Sequence, residues 1–173
     1  MTRRKLLARA LAGLALPGLL PLLVACTPRQ VMTGPLGSLR QPAGHWRPLL
    51  AEDAFNVLFR EDTESPFSSS LNYEKGHGTY LCTACRQPLF SSASKYDSGT
   101  GWPSFWQALP DAIGIREDRS DYMVRTEYHC ARCGGHQGHV FDDGPPPTGQ
   151  RYCNNGVALS FVAVGEALPA LRQ

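Results

Sequence analysis

No stretch of this 173-residue chain is apolar for long enough to make a good membrane span. The longest, Leu11 to Ala25, is interrupted by Gly13, Pro17, Gly18 and Pro21 and runs 15 residues, where a spanning helix needs about 20. Charge of either sign is also scarce. Charged residues make up 18% and sum to +2, so there is no basic field of the kind that attracts nucleic acid or an anionic surface. Sustained helical periodicity is missing, which argues against a helical architecture. No internal repeat occurs apart from one doubled short motif, and no low-complexity tract interrupts the main body. Cysteine is limited to six residues, and the spacing of five of them accounts for those five.

What is present begins with an export signal. Arg3, Arg4, Lys5 and Arg9 precede the apolar run, and Leu23-Val24-Ala25-Cys26 ends it with a small residue and a cysteine. This pattern fits a secretory signal over residues 1–25. It looks like a lipoprotein processing site, with Cys26 as the lipidated first residue of the mature chain. Thr2-Arg3-Arg4-Lys5-Leu6-Leu7 also resembles a twin-arginine signal, which exports folded proteins, although an ordinary secretory signal would carry arginines too. Removing the four basic residues takes the charge from +2 to −2. Residues 26–45, with Pro28, Gly34, Pro35, Gly37, Pro42 and Gly44, read as a flexible tether. The body, residues 46–166, has the size of one domain and is followed by a short tail, 167–173.

Within the body one helix is expected over Arg47 to Arg60, burying Leu50, Ala54, Val57 and Leu58. Short strands are expected at Gly78 to Leu81, Pro88 to Ser91, Met123 to Tyr128, His139 to Phe141 and Val157 to Val164. Glycine, proline and serine separate them, the pattern of a mainly antiparallel β domain.

Cys82-Thr83-Ala84-Cys85 and Cys130-Ala131-Arg132-Cys133 lie 44 residues apart. Each C-x-x-C can form a knuckle, and two knuckles make a closed tetrahedral Cys₄ zinc site, structural and not catalytic. An oxidising compartment would instead allow two disulfides.

Cys153 is the cysteine left over. It sits in Arg151-Tyr152-Cys153-Asn154-Asn155, 14 residues after His139 and 17 after His136. Asn155 would share a strand face with Cys153 if that segment is extended. Trp102 lies on a glycine-rich loop. A thiol, imidazoles, an amide and an aromatic platform suit nucleophilic attack on an electrophilic sulfur or carbon. A thiol peroxidase or cysteine hydrolase would use similar groups, and a non-enzymatic zinc module would use only the four paired cysteines.

The segments Ser98-Gly99-Thr100-Gly101-Trp102-Pro103-Ser104-Phe105, Arg125-Thr126-Glu127, Cys130-x-x-Cys133-Gly134, His136-x-Gly138-His139-Val140-Phe141-x-Asp143-Gly144-Pro145 and Arg151-Tyr152-Cys153-x-Asn155 closely resemble the B-type methionine sulfoxide reductases. Glu64 to Ser68 and Gly78 to Cys82 match as well. The resemblance implies two twisted antiparallel sheets, structural zinc on Cys82, Cys85, Cys130 and Cys133, and reduction of methionine-R-sulfoxide within proteins. It makes Cys153 the nucleophile and places Trp102 against the substrate methyl, with Phe105 and Arg151 also at the substrate. His136 and His139 then act on the sulfoxide oxygen, and Asn155 hydrogen-bonds within the site. Arg151 would favour the thiolate, or an acidic neighbour would hold it.

Two departures stand out. Many relatives carry a resolving cysteine where this chain has Thr100, so a one-cysteine cycle is expected, with an external thioredoxin-like or other periplasmic thiol reductant. Gln137 stands where an apolar residue is common. Together with the export signal, these features predict a membrane-anchored lipoprotein facing the periplasm or cell exterior that repairs oxidised exported proteins.

Overall fold

The computed structural model describes Leu39 and residues 41–173. The expected signal peptide, Cys26 and most of the tether lie outside the described residues. The last part of the expected tether is ordered: Ala43–Trp46 form a helical turn, α1. Trp46 is fully buried and stacks on Phe59 with ring centroids 5.9 Å apart.

The helix expected from Arg47 to Arg60 is divided. Arg47–Leu49 form a 3₁₀ turn, Leu50 is extended, and α2 spans Glu52–Arg60. Pro48 suits a first turn and not a helix interior, because it has no N–H to donate. Chain direction therefore resets before α2. Glu52 and Asp53 in its first turn and Arg60 in its last complement the helix dipole. Ala54, Phe55, Val57 and Leu58 turn inward.

Among the described residues, nine strands make two antiparallel sheets. The first has the order β2 (Pro88–Ser91), β1 (Gly78–Cys82), β9 (Leu159–Ala163). The second runs β3 (Lys95–Tyr96), β4 (Ser104–Phe105), β8 (Arg151–Asn154), β7 (His136–Phe141), β6 (Arg125–Cys130), β5 (Ile113–Asp118). The expected strand at Val157 to Val164 starts later, because Gly156–Ala158 form a 3₁₀ turn. The one expected from Met123 is shifted to Arg125, after another such turn at Ser120–Tyr122.

Aromatic residues join the two sheets. Phe90 of the first stacks on Phe105 of the second at 4.2 Å, and Tyr80 meets Phe105 edge-on at 4.9 Å. Tyr128 and Tyr152 add edge contacts from β6 and β8. Each such pair adds about 0.5–1.5 kcal/mol beyond burial alone. Residues 167–173 are not a loose tail. Arg172 donates from its backbone to the Cys85 carbonyl (3.1 Å) and from its guanidinium to those of Thr83 and Ala84. Among the described residues no helix is long and apolar enough to cross a membrane.

Candidate active site and metal centre

The second sheet sorts its side chains by register. Cys153 is paired with His139, His139 with Glu127, and Glu127 with Arg116. Directly opposed residues share a face, and so do their i±2 neighbours. Arg151, Phe141, Arg125 and Asp118 therefore join that row, since Phe141 pairs with Arg151 and Asp118 with Arg125. Tyr152, Val140 and Tyr128 take the opposite face and meet the core. Gly138 lets β7 and β8 approach, because a Cβ there would lie 1.9 Å from the Cys153 carbonyl oxygen.

A cavity of about 130 Å³ opens over this row, lined by Thr63, Trp102, Arg125, Gly138, His139, Phe141, Cys153 and Asn155. That volume admits one slender side chain. One strap, beginning at Glu64, assembles its rim. The Glu64 carboxylate accepts from the backbone N–H groups of Gly156 (2.6 Å) and Val157 (3.0 Å), and its carbonyl accepts from Trp102 Nε1 (3.2 Å). Its own N–H donates to Asn155 Oδ1 at 3.0 Å. Asn155 lies just beyond β8 and not on a shared strand face, yet it reaches the cavity. Its Nδ2 donates to the Gln137 carbonyl at 3.1 Å.

Each histidine has a carboxylate behind it. Asp118 Oδ2 meets His139 Nε2 at 2.8 Å and accepts from Arg125 Nη2 at 2.7 Å. The Ser120 N–H, with His139 and Arg125, holds the Asp118 carboxyl well below the usual range, so it is ionised and accepts. Nε2 then carries the His139 proton and Nδ1 is the accepting nitrogen. Burial lowers the His139 pKa against the pull of Asp118. His136 lies one ring deeper, 5.4 Å from His139 by centroid, with Nδ1 2.7 Å from Glu127 Oε1. Its buried Nε2 has no protein partner among the described residues. Burial opposes ionisation of Glu127, but His136 and Arg116 outweigh it and lower its pKa.

Burial pushes the Cys153 thiol pKa up, opposed by the Arg151 charge and, less strongly, by the nearby Thr100 hydroxyl. Asp143 holds Arg151 through two bonds of 2.8 and 2.9 Å, with the guanidinium 4.3 Å from the Phe141 ring centroid. An acidic partner thus fixes Arg151, while its charge opposes the rise of the Cys153 pKa.

The four paired cysteines converge. Their sulfurs lie within 4.8 Å of one another, with Cys82–Cys133 at 3.7 Å and Cys85–Cys130 at 3.6 Å. Disulfide sulfurs would be near ~2.05 Å apart, whereas ~2.3 Å metal–sulfur bonds in a tetrahedron separate sulfurs by about 3.8 Å. The two knuckles are built alike. In each, the first cysteine's carbonyl accepts from the residue after the second cysteine (Arg86 or Gly134) at 2.9 Å. Its N–H donates one residue further, to the Gln87 or Gly135 carbonyl, also at 2.9 Å. Arg86 and Gly134 both take positive φ, 65° and 75°. A buried tetrahedral thiolate set fits a metal such as zinc. Gln137 is fully buried beside it, with Nε2 3.5 Å from Cys82 Sγ.

Of the expected site residues, Phe105, His136 and Arg151 do not line the cavity; His136 packs against His139 and Arg151 against Phe141, which do. Phe105 is fully buried between Phe90 and Tyr80, because strand alternation turns it inward while its neighbour Ser104 opposes Cys153. Phe141, Thr63, Glu64 and Asp118 belong to the site without having been singled out for it. Asp118 follows Arg116 and Glu117 in a charged stretch that alone reads as solvated surface.

A model of the SelR domain matches residues 50–163. The chain is 52% identical over 117 residues to the peptide methionine sulfoxide reductase MsrB of Methanosarcina mazei, covering 67% of this chain and 84% of that protein. It is 47% identical over 125 residues to the MsrB of Pseudomonas fluorescens strain Pf-5, covering 72% and 96%. The MsrB of Thiobacillus denitrificans is 50% identical over 117 residues, covering 67% and 89%. With the domain match spanning both sheets and the cleft between Trp102 and Cys153, the chain belongs to the MsrB family of peptide methionine sulfoxide reductases.

Proposed function

We propose that this chain reduces methionine-R-sulfoxide in proteins to methionine, with Cys153 as the nucleophile. The observation that carries the reading is the direct opposition of Cys153 and His139 in a cavity walled by Trp102. In the resting site Cys153 is a thiol and His139 a neutral imidazole with Nδ1 accepting. His139 takes the thiol proton, and the resulting imidazolium is stabilised by ionised Asp118 and hydrogen-bonds the sulfoxide oxygen. The thiolate attacks the sulfoxide sulfur, the S–O bond breaks, and oxygen ends on Cys153 as sulfenic acid while the proton returns with it. Methionine leaves as the thioether. The indole of Trp102 takes the substrate methyl, so the other epimer would aim its oxygen at an aromatic face. His136 and Asn155 support the oxygen and the position of the ring.

Thr100 lies beside Cys153 and provides no second thiol. An external dithiol therefore reduces the sulfenic acid, releasing water and leaving the donor as a disulfide. The four-cysteine site holds zinc, which ties the two knuckles together and has no open position for chemistry. The leader and Cys26 anchor the enzyme to a membrane outside the cytoplasm, where the donor is a thioredoxin-like or other periplasmic thiol protein and the substrates are oxidised exported proteins.

Assay with dithiothreitol and each separated epimer of methionine sulfoxide tests the reading. Turnover of the R epimer alone, abolished by Cys153→Ser, is expected. Equal turnover of both epimers, or activity surviving in Cys153→Ser, overturns it.

A further inference from the structure

A second hollow, of about 140 Å³, also has Trp102 as a wall; Phe67, Tyr73, Lys95 and Tyr96 are among its other walls. Phe67 is 60% exposed and Tyr73 69%, and both line the hollow that Trp102 walls. Phe67 is also held in a costly backbone conformation, φ 63°, one that a bulky residue keeps only when its surroundings enforce it.

The enforcement is visible. The Phe67 N–H donates to the Gly101 carbonyl at 2.7 Å, and Asn72 Nδ2 donates to the same oxygen at 2.9 Å. Gly101, at φ 97°, leaves room for the ring: a Cβ there would lie 2.8 Å from Pro66 Cβ and 3.0 Å from Phe67 Cδ2. The strap and the Trp102 loop are thus built around each other with an aromatic ring left facing solvent. The core gains nothing from that arrangement.

The inner cavity accommodates one side chain, so the backbone carrying a peptide-bound sulfoxide must pass over its rim, next to Trp102. We infer that the Phe67–Tyr73–Tyr96 shelf binds an apolar side chain adjoining the methionine sulfoxide in an extended polypeptide. The enzyme then favours oxidised methionines flanked by apolar residues. This rests on Cys153 reducing peptide-bound sulfoxide and adds the sequence context in which it does so.

The test uses two capped tripeptides carrying the R sulfoxide, one flanked by leucines and one by serines, with dithiothreitol as reductant. Both present the same sulfoxide to the same thiol, so their kcat/KM ratio reads the flanking contact alone. For the native protein the leucine peptide is expected to be favoured about tenfold, through KM and not kcat, as burial of one apolar side chain implies. Phe67→Ser and Tyr73→Ser should each pull the ratio toward one. Because both side chains are mostly exposed, truncation should leave thermal unfolding unchanged, which is measured alongside. A native ratio near one overturns the inference while leaving the reductase intact. So does a ratio that both variants preserve, or variants whose only defect is a raised KM for a protein dithiol. Failure of the native protein to reduce either peptide overturns the reductase itself and the shelf with it.

Discussion

Cys153 and His139 are directly opposed residues on neighbouring antiparallel strands, and Asp118, from the edge strand beyond, holds the imidazole 2.8 Å away at Nε2. The thiol, the ring and the carboxylate come from three different strands, so sheet register alone aligns them.

Asp118→Asn keeps the shape of that contact and removes its charge. Asp118 raises the His139 pKa against burial, so the substitution lowers it further. We expect kcat/KM to fall by roughly 10- to 100-fold and the acid limb of the pH profile to move to lower pH. A fall in rate with the limb unmoved would show that Asp118 acts only on structure.

Arg151 opposes the burial that raises the Cys153 pKa. Alkylation of Cys153 by iodoacetamide should therefore rise with pH through a midpoint above that of an ordinary cysteine. Arg151→Ala should move the midpoint higher and slow alkylation at neutral pH, and Arg151→Lys should restore part of it. Asp143→Asn removes a negative charge that itself pushes the thiol up, and should move the midpoint lower.

Thr100 is near enough to Cys153 to act on its thiol and offers no second sulfur. One equivalent of substrate without reductant should leave the native chain as a sulfenic acid that dimedone traps. Thr100→Cys should instead give a disulfide between the introduced thiol and Cys153, seen by peptide mapping as the loss of two hydrogens. A native chain that forms any disulfide through Cys153 would rule out the one-cysteine cycle.

Removal of metal should unfold the domain, because the knuckles tie the end of β1 in one sheet and the end of β6 in the other to the same four sulfurs. Structural zinc commonly contributes on the order of 10 kcal/mol to folding. A strong chelator should release one zinc per chain and lower the melting temperature by more than about 10 °C. Cys82→Ser should do the same, whereas Cys153→Ser should leave both metal and melting temperature unchanged.

Much of this was legible in the chain. The knuckles and β1, β2 and β7 are marked by local chemistry: paired cysteines, glycines and alternating apolar residues. The leftover thiol pointed to Cys153 for the same arithmetic reason. β5 was not legible, since Arg116, Glu117 and Asp118 look like a solvated loop. On an edge strand such charges are what blunts unwanted pairing. β3 and β4 are only two residues long each, too short for any period to register. The carboxylates behind the histidines were also beyond reach, because their partnership depends on strand pairing and not on proximity in sequence. Phe105 shows the converse error: it lies in a site-forming segment, yet alternation sends it to the core.

The strap residue Glu64 carries a consequence for synthesis. Its carboxylate meets Gly156 and Val157, 92 and 93 positions later, while its carbonyl holds Trp102 and its N–H holds Asn155. As the chain emerges, all four clustered thiols are present by Cys133, twenty residues before Cys153. The cleft cannot close until Val157 has followed. A chain cut short between Cys153 and Val157 would carry the Cys153 thiol without the full clasp that holds the Trp102 indole, so the order of residues delays completion of the cleft until nearly the whole domain has been made.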